Sequence, residues 1–337
     1  MKCRYKFRVV SDISLNPEIK FSYEGLTYFL NNENNRFTWI IIEATGIDVK
    51  SRQPPPEILK EGLPTFSAPD DPMLEYVRHS LLVARGALGV WGIYDIDVLR
   101  PQMEWIPEND EEKRNCSIYG LSINHTPRGH GKLHNAPQDL IVRTLISHHK
   151  LTEYEIPLEF FRRATDDIYN ERYIEAIYDL YFMLEYLFSD GNFKKRSTED
   201  SFNNSHELLA AIEKAKKHPS PWVYSRPKLL KQYNEKYSNL SANGFITKII
   251  ECRGFLHHQS SKRNDNWNPS WQYDFELDAT VMFTICMNLA TEFTTAPLFK
   301  PEELKHFYDT QVFTIKGERI QWKPFTPSSW AKFCSEE

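Results

Sequence analysis

The sequence predicts an α+β fold: a mixed or β-rich N-terminal domain over residues 1–150, an all-α helical bundle over 151–300, and a tail over 301–337 with a short β-hairpin. Two observations predict it. Aromatic and β-branched runs broken by Asn, Asp and Gly clusters fill the first half, as short strands do. After residue 150 the apolar spacing switches to the 3.6-residue period of amphipathic helices. The N-terminal half shows no internal repeat.

In chain order, "CRYKFRVV", "KFSYEGLTYFL" and "RFTWIIIEATGIDV" read as strands, with "NNENN" (31–35) as a turn or exposed loop. "RQPPPE" (52–57) is a rigid connector, because proline fixes φ and lacks an N–H. Leu74, Val77, Leu81, Leu82 and Leu88 recur at helical spacing, and "WGIYDIDVL" and "CSIYGLSIN" return to strand chemistry. From Asp166 onward, Tyr173, Ile174, Ile177, Leu180, Tyr181, Leu184, Leu187 and Phe188 form one stripe. They predict a helix with acids at its start and Gly191 at its end. "SHELLAAIEKAKK" (205–217) is a helix capped by Ser205, and "SPWVYSRP" interrupts the chain. "PKLLKQYNEKYSNL", "NGFITKIIECRGFLHH" and "FELDATVMFTICMNLATEF" (275–293) complete a bundle of four or five helices. "VFTIKGERIQW" (312–322) reads as a hairpin turning at Lys316-Gly317.

With 41% hydrophobic and 26% charged residues, the 337-residue chain can bury a real core. Five scattered cysteines (Cys3, Cys116, Cys252, Cys286, Cys334) suit thiols in a reducing compartment, and the lack of a C-x-x-C pair argues against structural zinc. "MKCRYKFRVVSD" carries no apolar signal segment and no apolar run reaches membrane-spanning length. A cytoplasmic protein without a membrane partner is therefore the expectation. No G-x-S-x-G occurs, and "GALGVWG" lacks the Gly-Lys-Ser/Thr ending of a phosphate loop. His125, His130 and His134 lie in a Gly- and Pro-containing stretch without a completing carboxylate or cysteine, so a basic loop is expected there. His148 and His149 are expected to be structural or solvated.

Charge is segregated. Residues 191–263 hold 14 Lys/Arg against six Asp/Glu, in a chain whose net charge is −5. Such a segment suits a phosphate-backbone binder, with Lys194, Lys195, Arg196, Lys262 and Arg263 as candidate RNA contacts. Tyr224, Tyr233 and Tyr237 are interleaved with the basic residues and could stack on unpaired bases. The other reading of these lysines is a set of solvated helix faces.

Within this segment stands "ECRGFLHHQS". Phe245, Ile249, Cys252 and Leu256 step by four, three and four, as a buried helical stripe does. Arg253 and His257 are i and i+4 and share a face, whereas His258 falls roughly 140° from Arg253 on an ideal helix. The helix therefore ends here, or the groups meet across a dimer axis. An arginine and a histidine suffice to cleave RNA without metal or cofactor. The histidine, with an unperturbed pKa near ~6.5, takes the 2′-hydroxyl proton or protonates the leaving 5′-oxygen. The arginine stabilises the charge that builds on the phosphorus oxygens.

Arg253-x4-His258 resembles the R-x4-6-H signature of HEPN domains, helical bundles of prokaryotic ribonuclease toxins and defence proteins. "EAIYDLYFMLEYLF", around Glu185, is similar to the long helix of that family, and the resemblance spans roughly 155–295. It implies Arg253 and His258 as catalytic residues. Gly254 stands where the family carries a polar residue, and His257 is a neighbour able to replace that group. The resemblance also implies a homodimer that cuts single-stranded or loop RNA to a 2′,3′-cyclic phosphate, in toxin or anti-phage defence by abortive infection. The N-terminal half would then sense a phage trigger, a nucleotide or a regulatory protein. The alternative is a non-catalytic dimerisation module that binds RNA, a nucleotide or a protein partner.

Overall fold

The computed structural model describes residues 1–15, 19–48, 71–116, 120–121, 134–135, 138–192, 194–258, 267–300, 313–315 and 318–320. The chain is α+β and divides into two units, residues 1–150 with 298–337, and residues 151–297.

The first unit contains β1 (Lys2–Ser11), β2 (Ile13–Ser14), β3 (Ile19–Tyr23), β4 (Leu26–Glu33), β5 (Arg36–Ala44), α1 (Pro72–Gly89), β6 (Ile93–Ile96), β7 (Gln102–Ile106), α2 (Asp110–Asn115), β8 (Gly120–Leu121), β9 (His134–Asn135) and α3 (Gln138–Ile146). The tail adds β10 (Phe313–Ile315) and β11 (Glu318–Ile320). Among the described residues the antiparallel sheet runs β11-β10-β3-β4-β5-β1-β7-β8, β6 also pairs with β1, and β2 and β9 form a separate parallel pair. Strict alternation in β1 turns Cys3, Tyr5, Phe7 and Val9 into the core. Two-residue turns at Glu24-Gly25 and Asn34-Asn35 place both central residues at positive φ, which matches the strand twist. Asp71 caps α1 by accepting from the Met73 and Leu74 N–H groups (3.0 and 3.2 Å). The Tyr5 hydroxyl donates to the same carboxylate at 2.7 Å and ties sheet to helix. Leu74, Val77, Leu81 and Leu88 are buried as expected, and Leu82 partly so. The tail hairpin pairs with β3 through Thr314 and Lys20, so it belongs to the sheet; the predicted turn Lys316-Gly317 lies outside the described residues, as do the Pro-rich connector and Cys334.

The second unit is helical: α4 (Glu155–Tyr169), α5 (Tyr173–Phe188), α6 (Lys195–Asn204), α7 (His206–Lys217), α8 (Pro221–Ser225), α9 (Pro227–Lys236), α10 (Ala242–His257) and α11 (Glu276–Leu298). It has more pieces than the four or five helices expected. Asp166 and Asp167 do not open the long helix. They end α4, and Arg172 bonds both carboxylates (2.9 and 2.6 Å) across a turn in which Glu171 takes φ 58°. Ser205 caps α7 by accepting from the Leu208 N–H at 3.2 Å. Phe161, Phe202, Phe245, Ile285 and Leu289 are fully buried in this unit. Among the described residues no helix is long and apolar enough to cross a membrane.

Candidate functional site

Helix α10 positions the Arg/His set. Ser241 caps it by accepting from the Gly244 N–H at 3.2 Å. Phe245, Ile246, Ile249, Ile250 and Leu256 are buried, while Cys252 is only half-buried. The helix ends at His257, and His258 leaves it with φ −106° and ψ 80°. The Trp267 indole N–H donates to the Leu256 carbonyl at 3.1 Å and satisfies one of the terminal acceptors. Both histidines are exposed, and their rings lie 5.1 Å apart, edge to face at 74°. Because helical geometry stops at His257, the ideal-helix separation of Arg253 and His258 does not apply.

Arg253 is half-buried, and its guanidinium carbon lies 5.3 Å from the centre of the Tyr181 ring on α5. Burial pushes the Tyr181 hydroxyl up to about 12, with Glu185 adding and Arg253 opposing. Burial also raises Tyr178, again against Arg253. Among the described residues no carboxylate pairs with Arg253, and no hydrogen bond or ring contact joins it to either histidine. At Gly254 an added Cβ would meet nothing within 4 Å. Burial pushes the neighbouring Cys252 thiol up to about 12, with Asp278 adding to the shift, so it is a poor thiolate nucleophile.

The basic segment separates into two groups. Arg226 pairs with Glu276, Lys236 with Asp278 (2.6 Å), Lys216 with Glu213 (2.9 Å), Lys231 with Glu235 (3.9 Å) and Lys248 with Glu251 (2.9 Å). Two of those carboxylates come from α11, outside the segment counted in sequence. Lys194, Lys195 and Arg196 start α6, are exposed, and form no ion pair among the described residues. Helix α6 is tied to α10 by the Thr247 hydroxyl, which donates to Glu199 at 2.6 Å. Lys262 and Arg263 lie outside the described residues. Of the interleaved tyrosines only Tyr224 is exposed. Tyr233 and Tyr237 are buried with rings 6.1 Å apart, because they form the apolar face of α9 and its end, so neither is available to stack on bases.

His148 is buried, its Nδ1–H donating to the Leu145 carbonyl at 3.1 Å, and burial lowers its pKa, so it is structural. His125 and His130 fall outside the described residues. Among the described residues no group of three or more His, Cys, Asp or Glu is placed to hold a metal ion. Sequence reasoning missed a pocket on another face of α10, where Cys252 and Phe255 meet Trp267, Trp271 and Phe275. The dense aromatic run between residues 267 and 275 was the only signal for it.

Comparison with family models, curated proteins and solved structures finds no match for the chain.

Proposed function

We propose that the helical unit is a metal-independent endoribonuclease of HEPN type, acting in toxin or anti-phage defence. The observation that carries this reading is an arginine with no carboxylate partner among the described residues, one turn from two adjacent exposed histidines at a helix end. One histidine removes the proton from the RNA 2′-hydroxyl, and the 2′-oxygen attacks the adjacent phosphorus. The bond to the 5′-oxygen breaks and that oxygen takes a proton from an imidazolium, leaving a 2′,3′-cyclic phosphate and a 5′-hydroxyl. Arg253 offsets the charge on the non-bridging oxygens in the transition state. Lys194, Lys195 and Arg196 supply exposed cations for the RNA backbone. The chain works as a homodimer. In support, Phe182 and Tyr186 on α5, the helix that carries Tyr181, and Ile156 on α4 are exposed apolar side chains. The first unit acts as the sensor of the trigger.

The test is cleavage of single-stranded RNA in the presence of EDTA by wild type, Arg253→Ala, His257→Ala and His258→Ala. Loss in Arg253→Ala and in at least one histidine variant is expected, and equal activity in all four sinks the assignment. A non-catalytic binding module is the second reading, favoured by the guanidinium resting on Tyr181 rather than on a histidine. RNA binding without cleavage in wild type would select it.

A further inference from the structure

About 100° (Cys252) and about 160° (Phe255) round α10 from Arg253, these two residues form one wall of a pocket of about 450 Å³. That volume falls in the range of small-molecule sites, ~300–1,000 Å³. Its other walls combine aromatic and charged residues, and Trp267 and Phe275 pack together. Phe255 and Phe275 lie 6.3 Å apart, and Trp267 meets Phe275 edge to face at 6.2 Å while its indole N–H is fixed on the Leu256 carbonyl. Trp271 lines the same pocket with 59% of its surface exposed.

Among the described residues, the charges lining the pocket do not cancel. The Lys236 ammonium bridges both oxygens of Asp278 (2.6 and 2.7 Å), which also accepts from the Tyr237 hydroxyl. The Lys248 ammonium bonds Glu251 at 2.9 Å. Asp274 remains, an exposed carboxylate with no ion pair and no side-chain hydrogen bond among the described residues. Among the described lining residues, three carboxylates therefore face two ammonium groups. Aromatic faces carry a negative quadrupole that attracts cations, and the surplus carboxylate acts in the same direction. A phosphate group would meet repulsion from Asp274. A neutral ring could stack on Trp271 but would leave Asp274 without a charge partner.

We propose that this pocket binds a small organic cation of the alkylammonium class, with its apolar surface against Trp271 and Phe255 and its charge toward Asp274. The site is separate from the Arg/His set, so its occupancy is measured without reference to RNA cleavage.

The experiment titrates the full chain with choline, with its uncharged carbon isostere 3,3-dimethyl-1-butanol, and with adenosine, following tryptophan fluorescence and calorimetric heat. Saturable choline binding is expected, with the isostere weaker by about fivefold or more, the lower range of a partly desolvated cation–π contact. Trp271→Ala and Asp274→Asn are each expected to weaken choline by about threefold or more. Both side chains are exposed, so circular dichroism and thermal melting should remain those of wild type. Absence of saturable choline binding overturns the proposal. So does equal affinity for choline and the isostere, tighter binding of adenosine than of choline, or choline affinity unchanged in both variants.

Discussion

Replacing Asp179 by asparagine should stabilise the protein near neutral pH, by an amount that disappears in acid. Asp179 sits on α5 at 4% exposure. Its Oδ2 lies 3.1 Å from Arg163 Nε but accepts no hydrogen bond, so the ion pair satisfies it incompletely. Burial pushes the carboxyl up from 3.8 to about 6, with Arg163 opposing the shift and Asp167 adding to it. The folded state thus holds this proton more tightly than the unfolded chain does. Stability from this group rises as pH falls from about 6 toward about 4, and the full destabilisation is present above about 6. Some two pKa units at ~1.36 kcal/mol each make that destabilisation about 3 kcal/mol. Asparagine reproduces the shape of the neutral acid, and Arg163, which is 57% exposed, can be solvated once the charge is gone. Asp179→Asn should therefore be more stable than wild type by about 3 kcal/mol near pH 8, or about 9 °C in melting temperature for a unit of this size. Urea denaturation of both proteins near pH 8, pH 6 and pH 4 measures it. A variant no more stable than wild type near pH 8, or a gap that stays constant down to pH 4, refutes the reasoning.

Other outcomes follow from the same structure. Gly254→Ala should stabilise the protein by about 0.5–1 kcal/mol in chemical denaturation, because the site is helical and an added Cβ meets nothing. Phe245→Ala should cost about 3–5 kcal/mol by the same measurement, since the ring is 1% exposed and packs 5.2 Å from Tyr237. If RNA lies along α6, changing Lys194, Lys195 and Arg196 together to glutamine should flatten the slope of log affinity against log salt by about 2 units, at ~0.7 per phosphate of a single strand. A fluorescence-anisotropy titration across salt concentrations reads this slope directly.

Legibility from sequence followed the range of the interaction. The strands β1, β3, β4 and β5 and the helices α1, α7 and α10 were readable because a two- or 3.6-residue apolar period is a local pattern. The Asn170–Arg172 break was not readable, since no glycine or proline marks it. Glu171 adopts a positive φ there, and Arg172 bonds back to the aspartates at the end of α4. Helix α6 was missed because "KRSTEDSFNN" buries only Thr198 and Phe202, too few positions to show a period. The basic excess was countable, but its partial cancellation by Glu276 and Asp278 depends on side chains some forty to fifty residues away.

The sequence by itself determined the order of strand and helix regions, the buried face of α10, and the placement of Arg253, His257 and His258 near the end of one helix. Those properties depend on spacing along the chain, which sets the face of a helix or strand without reference to the rest of the fold. Tertiary structure decided what surrounds them: the Tyr181 ring beneath Arg253, the burial of Tyr233 and Tyr237, and the joining of the tail hairpin to β3. It also decided the aromatic pocket, where Asp274 has no ion pair among the described residues. Burial and charge pairing are properties of packing between distant segments, and no local period encodes which distant residue arrives.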